Sequence, residues 1–109
     1  MDPEVQWSEI ALNELHEVAE YIARDSGARA AELIREARAS AKSIATLPEA
    51  SPMVQEFDDP TIRETYVKRR YRLIYQLAGS MIWIIAFIDS ARDLTSLWDW
   101  DERDARTDD

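Results

Sequence analysis

The sequence predicts an α+β domain: a short N-terminal strand, an antiparallel helical hairpin packed on a small, mostly antiparallel sheet, and a short C-terminal helix. Three observations predict it. Apolar residues recur at three and four over residues 9–47, the signature of amphipathic helix. Residues 62–89 then hold three β-type runs, broken at two turns. The Asp25-Ser26-Gly27 link is short enough to force the two helices antiparallel.

In chain order, Val5 and Trp7 alternate with polar neighbours and mark a strand over residues 4–7. Ser8 is a good N-cap, and Glu9 complements the helix dipole. The first helix is expected over residues 9–25, with Leu12, Leu15, Val18, Ala19 and Ile22 as its apolar face and Gly27 as a left-handed stop. The second is expected over residues 28–47. Ala30, Ile34, Ala37, Ala41 and Ile44 line it beside Leu33, and Pro48 ends it. Its small residues allow a close approach of the two helices.

Residues 48–61 read as an acidic, proline-rich loop pinned by Met53, Val54 and Phe57. Strands follow over residues 62–67, 71–77 and 81–89, with a turn at Ala78-Gly79-Ser80. The last is apolar on both alternating faces, with Met81, Trp83, Ile85 and Phe87 on one and Ile82, Ile84, Ala86 and Ile88 on the other. Such a strand is central and covered on both sides, and Trp83 is assigned to the core. Asp93 can cap a helix over residues 94–100, and the acidic tail 101–109 is expected to fray. One domain is expected over 1–109, with its core at about 5–97.

The chain has no cysteine, which excludes disulfides, thiolate metal sites and a thiol nucleophile. No basic-then-apolar leader opens it, and the longest apolar run, residues 81–88, is far too short to span a membrane. A soluble, cytoplasmic protein is expected. A net charge of -9 argues against general attraction to nucleic acid. Yet Arg63, Lys68, Arg69, Arg70 and Arg72 lie within ten positions, opposed there only by Glu64.

Lys68, Arg69 and Arg70 read either as a solvated hairpin tip or as a contact for nucleic acid or an acidic partner. A two-residue turn would set Arg72 opposite Val67, and a three-residue turn opposite Tyr66. No Gly or Asn in the turn decides between them. His16, the only histidine, lies at the margin of the first helix's apolar stripe and reads as a boundary residue. The carboxylate pairs fall in loop or tail, and no metal site or cofactor is expected. Trp98 and Trp100, with little chain left to cover them, are candidates for a partner surface.

Four stretches in this order resemble the RelE/ParE superfamily of toxins from type II toxin–antitoxin systems, the ParE branch more than RelE. They are VQWSEIALNELHEVAEYIA, the leucine–proline loop with Glu56-Phe57, IRETYVKRRYRLIYQL and IIAFIDSARDL. The resemblance implies a toxin held inactive in a hetero-oligomer by a cognate antitoxin. It implies either inhibition of DNA gyrase, as in ParE-like members, or metal-independent cleavage of messenger RNA on the ribosome, as in RelE-like members. A degenerate toxin that only binds antitoxin is a third possibility. For a RelE-like enzyme the resemblance points to Arg63, Arg72 and Arg92, since arginine holds phosphate oxygens in pairs. Trp98 and Trp100 stand where RelE carries a tyrosine, and Trp cannot relay a proton. The balance therefore leans to an inhibitor without catalysis.

Overall fold

The computed structural model describes residues 2–92 and 103. The terminal helix expected over 94–100, its Asp93 cap, Trp98 and Trp100 lie outside the described residues. The elements run β1 (Glu4–Trp7), α1 (Glu9–Ala23), α2 (Gly27–Ile44), β2 (Ile62–Val67), β3 (Tyr71–Ala78) and β4 (Met81–Asp89). The expected order of strand, two helices and three strands is present.

The sheet order is β1-β4-β3-β2. β1 runs parallel to β4, while β4–β3 and β3–β2 are antiparallel. β4 is therefore interior, as an apolar run on both faces requires. One face is covered by the hairpin, where Leu15, Leu33 and Ala37 meet Val67, Tyr71, Leu73, Tyr75, Ile82, Ile84 and Phe87. The other is covered by the loop between α2 and β2, where Val54 and Phe57 pack on Ile62, Ile74, Ile85, Ala86 and Ile88.

Ser8 caps α1, its Oγ accepting the Ala11 N–H at 3.1 Å. The link between the helices differs from the expected one. α1 ends at Ala23, Ser26 caps α2, and Gly27 is the first residue of α2. Gly27 does not adopt positive φ. The Ser26 side chain accepts the Arg29 N–H and starts the second helix, so no left-handed stop is needed. α2 also stops at Ile44, short of Pro48. Leu12 is exposed, because the buried stripe of α1 runs through Ala11, Leu15 and Ala19.

Strict alternation fails on β4. The register with β3 shifts between Ile74 and Tyr75: Ile74 pairs with Ala86 and Tyr75 with Ile84. Ile85 is thus an extra residue, a β-bulge, and it reverses the faces beyond it. Phe87 joins Ile82 and Ile84 on the helical side, where it stacks on Tyr71 at 5.3 Å and lies 6.4 Å from Trp7. Trp83 is half-buried at the edge of the second cluster rather than in the core.

Beyond Ile84 the β4 edge has no strand beside it among the described residues, since β1 pairs only as far as Trp7. Side chains complete it. Glu14 accepts the Phe87 N–H at 3.0 Å. Arg103 donates to the Ile85 carbonyl at 2.9 Å and grips Glu14 at 2.7 Å. Arg103 belongs to the stretch expected to fray, yet it is helical and ion-paired here.

Candidate functional site

The basic stretch 63–72 divides between the two faces of the sheet and the turn that joins them. Val67 pairs with Tyr71 and Tyr66 with Arg72. Lys68-Arg69-Arg70 is therefore a three-residue turn, and it places Arg72 on the face away from the helices, with Glu64, Ile74 and Gln76.

Arg72 is 7% exposed there. Its Nε donates to Glu64 at 2.6 Å, and its two terminal nitrogens donate to both oxygens of Glu56 at 3.0 and 2.9 Å. The guanidinium is thus held along two edges, and the Glu56 and Glu64 carboxylates raise its pKa further above an already high value. Glu56 comes from the α2–β2 loop, so this ion pair also straps the loop across the sheet. Of these partners, Glu64 is the one acid within the basic stretch itself. Glu56 was visible only as part of the family-like Glu56-Phe57 word.

Arg63 lies on the opposite face, paired with Tyr75. One of its terminal nitrogens donates to the carbonyls of Ser51 at 2.8 Å and Glu49 at 3.2 Å. Nearby, the Tyr75 hydroxyl donates to the Pro48 carbonyl at 2.7 Å, and burial pushes the Tyr75 phenol up. Arg63 and Tyr75 together pin the start of the loop. The sheet therefore separates Arg63 from Arg72. Arg92 is exposed in the turn after β4, its N–H bonded to the Asp89 carbonyl.

The three turn residues have three different surroundings. Lys68 Nζ bridges Glu32 at 3.0 Å and Glu36 at 2.8 Å, one helical turn apart on α2. Glu36 and Glu32 raise the Lys68 pKa, and Lys68 in turn lowers that of Glu32. Arg70 Nε meets Asp89 at 3.0 Å. The Ala91 N–H, and then Arg70, hold the Asp89 carboxyl below the usual carboxylate range. Arg69 makes no ion pair or side-chain hydrogen bond among the described residues. The four-residue spacing of Glu32 and Glu36 is legible in the sequence, but that it faces Lys68 depends on how α2 lies across the sheet.

Surface hollows flank the hairpin. A cleft of about 380 Å³ opens between the α1–α2 link and the 68–71 segment. A groove of about 330 Å³ runs between β1 and α2, with Val5, Trp7, Ala41 and Ala45 inside and Arg38 and Lys42 at its rim. His16 is exposed on α1 and lines neither. Among the described residues no helix is long and apolar enough to cross a membrane.

Comparison with known proteins agrees with this fold. The solved structure titled "Chromosomal ParDE TA system from P. aeruginosa" contains a chain that superposes with a TM-score of 0.67 at 13% identity, covering 80% of this chain and 95% of that one. At that identity the likeness is one of fold. A search of curated proteins finds no match. The family model described as "ParE toxin of type II toxin-antitoxin system, parDE" matches residues 5–94. That span takes in the helical hairpin, the strapped loop and all of the sheet but its first residue, and the chain belongs to the ParE family of type II toxin–antitoxin toxins.

Proposed function

We propose that this ParE-family toxin acts by binding DNA gyrase, without a chemical step of its own, and that a cognate antitoxin neutralises it. The observation that carries this reading is the locked state of Arg72. Cleavage of RNA by paired arginines needs guanidinium donors aimed at the phosphate and free to meet its developing charge. Arg72 instead directs its Nε and both terminal nitrogens at Glu64 and Glu56. Two carboxylates beside it also make the site repel a phosphate. Arg63, across the sheet, cannot share a substrate with Arg72. These facts favour an inhibitor over a ribosome-dependent nuclease built on Arg63, Arg72 and Arg92.

The groove between β1 and α2 suits the antitoxin. It lies beside an edge strand, its floor is apolar, and Arg38 and Lys42 have no ion pair among the described residues. An acidic amphipathic segment matches that lining.

The test is a supercoiling assay with purified gyrase. The toxin should block supercoiling and trap cleaved DNA, and addition of antitoxin should restore activity. Unchanged supercoiling at saturating toxin, with message cut on programmed ribosomes, would overturn the reading. The double variant Arg38→Glu/Lys42→Glu should weaken antitoxin binding by roughly tenfold or more while leaving gyrase inhibition intact.

A further inference from the structure

The turn between β2 and β3 is built against local preference. Lys68 and Arg69 both occupy the left-handed region, with φ of 55° and 58°. Side chains with a Cβ disfavour it, and a tight reversal alone is better served by Asn or Gly. Two such residues in succession need outside support, and the turn has it on both flanks. Lys68 is tied to Glu32 and Glu36 of α2. Arg70 is tied to Asp89, and its carbonyl accepts the Ser90 N–H at 2.8 Å. Between these braces Arg69 is exposed and, among the described residues, unpartnered. Backbone held in an unfavourable conformation by its surroundings is a mark of functional positions.

The cleft beside the turn has the character of a protein-binding hollow. Ile22, Leu33 and Tyr71 contribute its apolar part, and Lys68 and Arg70 line it on either side of Arg69 in sequence. Tyr21 at its rim is 70% exposed, with the Arg24 guanidinium 5.6 Å from its ring centre. Arg29, also at the rim, has no ion pair among the described residues. Exposed tyrosine and arginine around an apolar hollow are the usual anchors of protein interfaces.

We propose that this end of the molecule engages the toxin's target, and that Arg69 is the cation presented to it. The occupant is a protein segment that offers a carboxylate to Arg69 and seats an apolar side chain in the cleft. The inference rests on the reading of the chain as an inhibitor that acts by binding gyrase. Charge complementarity selects the occupant. Arg69 can grip a carboxylate through two donors. A nucleic acid would need many phosphate contacts, and a chain of net charge -9 has few unpaired cations here to supply them.

The variant Arg69→Gly separates presentation from folding. Glycine relieves the left-handed backbone, so the thermal midpoint should rise by a few degrees. Gyrase inhibition should weaken by roughly tenfold or more, with antitoxin affinity unchanged. Arg69→Lys, which keeps the charge without the fork, should fall between. If Arg69→Gly inhibits as well as the wild type, the inference fails and the gyrase reading stands. If the wild type itself leaves supercoiling unchanged, both fail. A fall in midpoint, or loss of antitoxin binding together with inhibition, would assign Arg69 to the fold or to the antitoxin face and overturn the inference. Binding of the wild type to duplex DNA alone, abolished in Arg69→Gly, would overturn it in favour of nucleic acid.

Discussion

Arg72 sits between two carboxylates on the face of the sheet covered by a loop, and most of its consequences are energetic. Removing it would strand Glu64, which is 8% exposed, without a counter-charge. Breaking a buried ion pair from one side is costly, so Arg72→Ala should lose about 3–5 kcal/mol in urea denaturation. Arg72→Met combined with Glu64→Leu should recover much of that, since an apolar pair suits the site beside Ile74 and Ile88. Asp89 acts more weakly and with a pH signature. Its folded pKa is depressed, so its contribution is present above the unfolded value of about 3.9 and is lost as pH falls through the folded one. Asp89→Asn should therefore cost up to about 1 kcal/mol near neutral pH, and the difference between the two proteins should shrink as pH falls through the folded value. For Lys68 the sign is opposite. Its raised pKa gives a contribution that is present below the unfolded value and lost only as strongly alkaline pH passes through the folded one.

Among the elements, β4 shows how one residue sets the layout. Its apolar run announces a central strand, and any alternating pattern assigns faces. With both faces apolar, however, the pattern cannot reveal where alternation breaks. The bulge at Ile85 moves Phe87 into the helical core and turns Ala86 and Ile88 toward the loop. Deletion of Ile85 should remove the bulge and restore strict alternation, with Phe87 still on the helical side in its stack on Tyr71. No face is exchanged, so the deleted chain should keep a dispersed amide spectrum and lose mainly the packing of the buried Ile85 side chain, about 2–5 kcal/mol in urea denaturation. The β2–β3 turn was undecided for a related reason. Without Gly or Asn, its sequence does not select a loop length. The choice was made by ties at both ends of the turn, Lys68 to α2 and Arg70 to β4.

For the molecule as a whole, segments from early and late in the sequence meet at the sheet edge. β1 supplies four residues of parallel pairing, and Glu14 with Arg103 completes the β4 edge after β1 turns away. Arg103→Ala would leave the Ile85 carbonyl and the Glu14 carboxylate short of a donor. A loss of about 1–3 kcal/mol follows, together with faster hydrogen exchange at the Phe87 amide.

The element order, the central place of β4, the Ser8 cap and the family likeness were all legible from periodicity, turn residues and a few words of sequence. Those signals are local, or depend only on which residues must leave water. The register of the 68–70 turn, the bulge at Ile85 and the strapping of Arg72 by Glu56, sixteen residues away, belong to the tertiary structure. So does the split of Lys68, Arg69 and Arg70 into two braces and one exposed cation. Each is settled by contacts between segments distant in sequence, and a charged side chain carries no local mark of whether its partner will be solvent, a neighbouring element or another molecule.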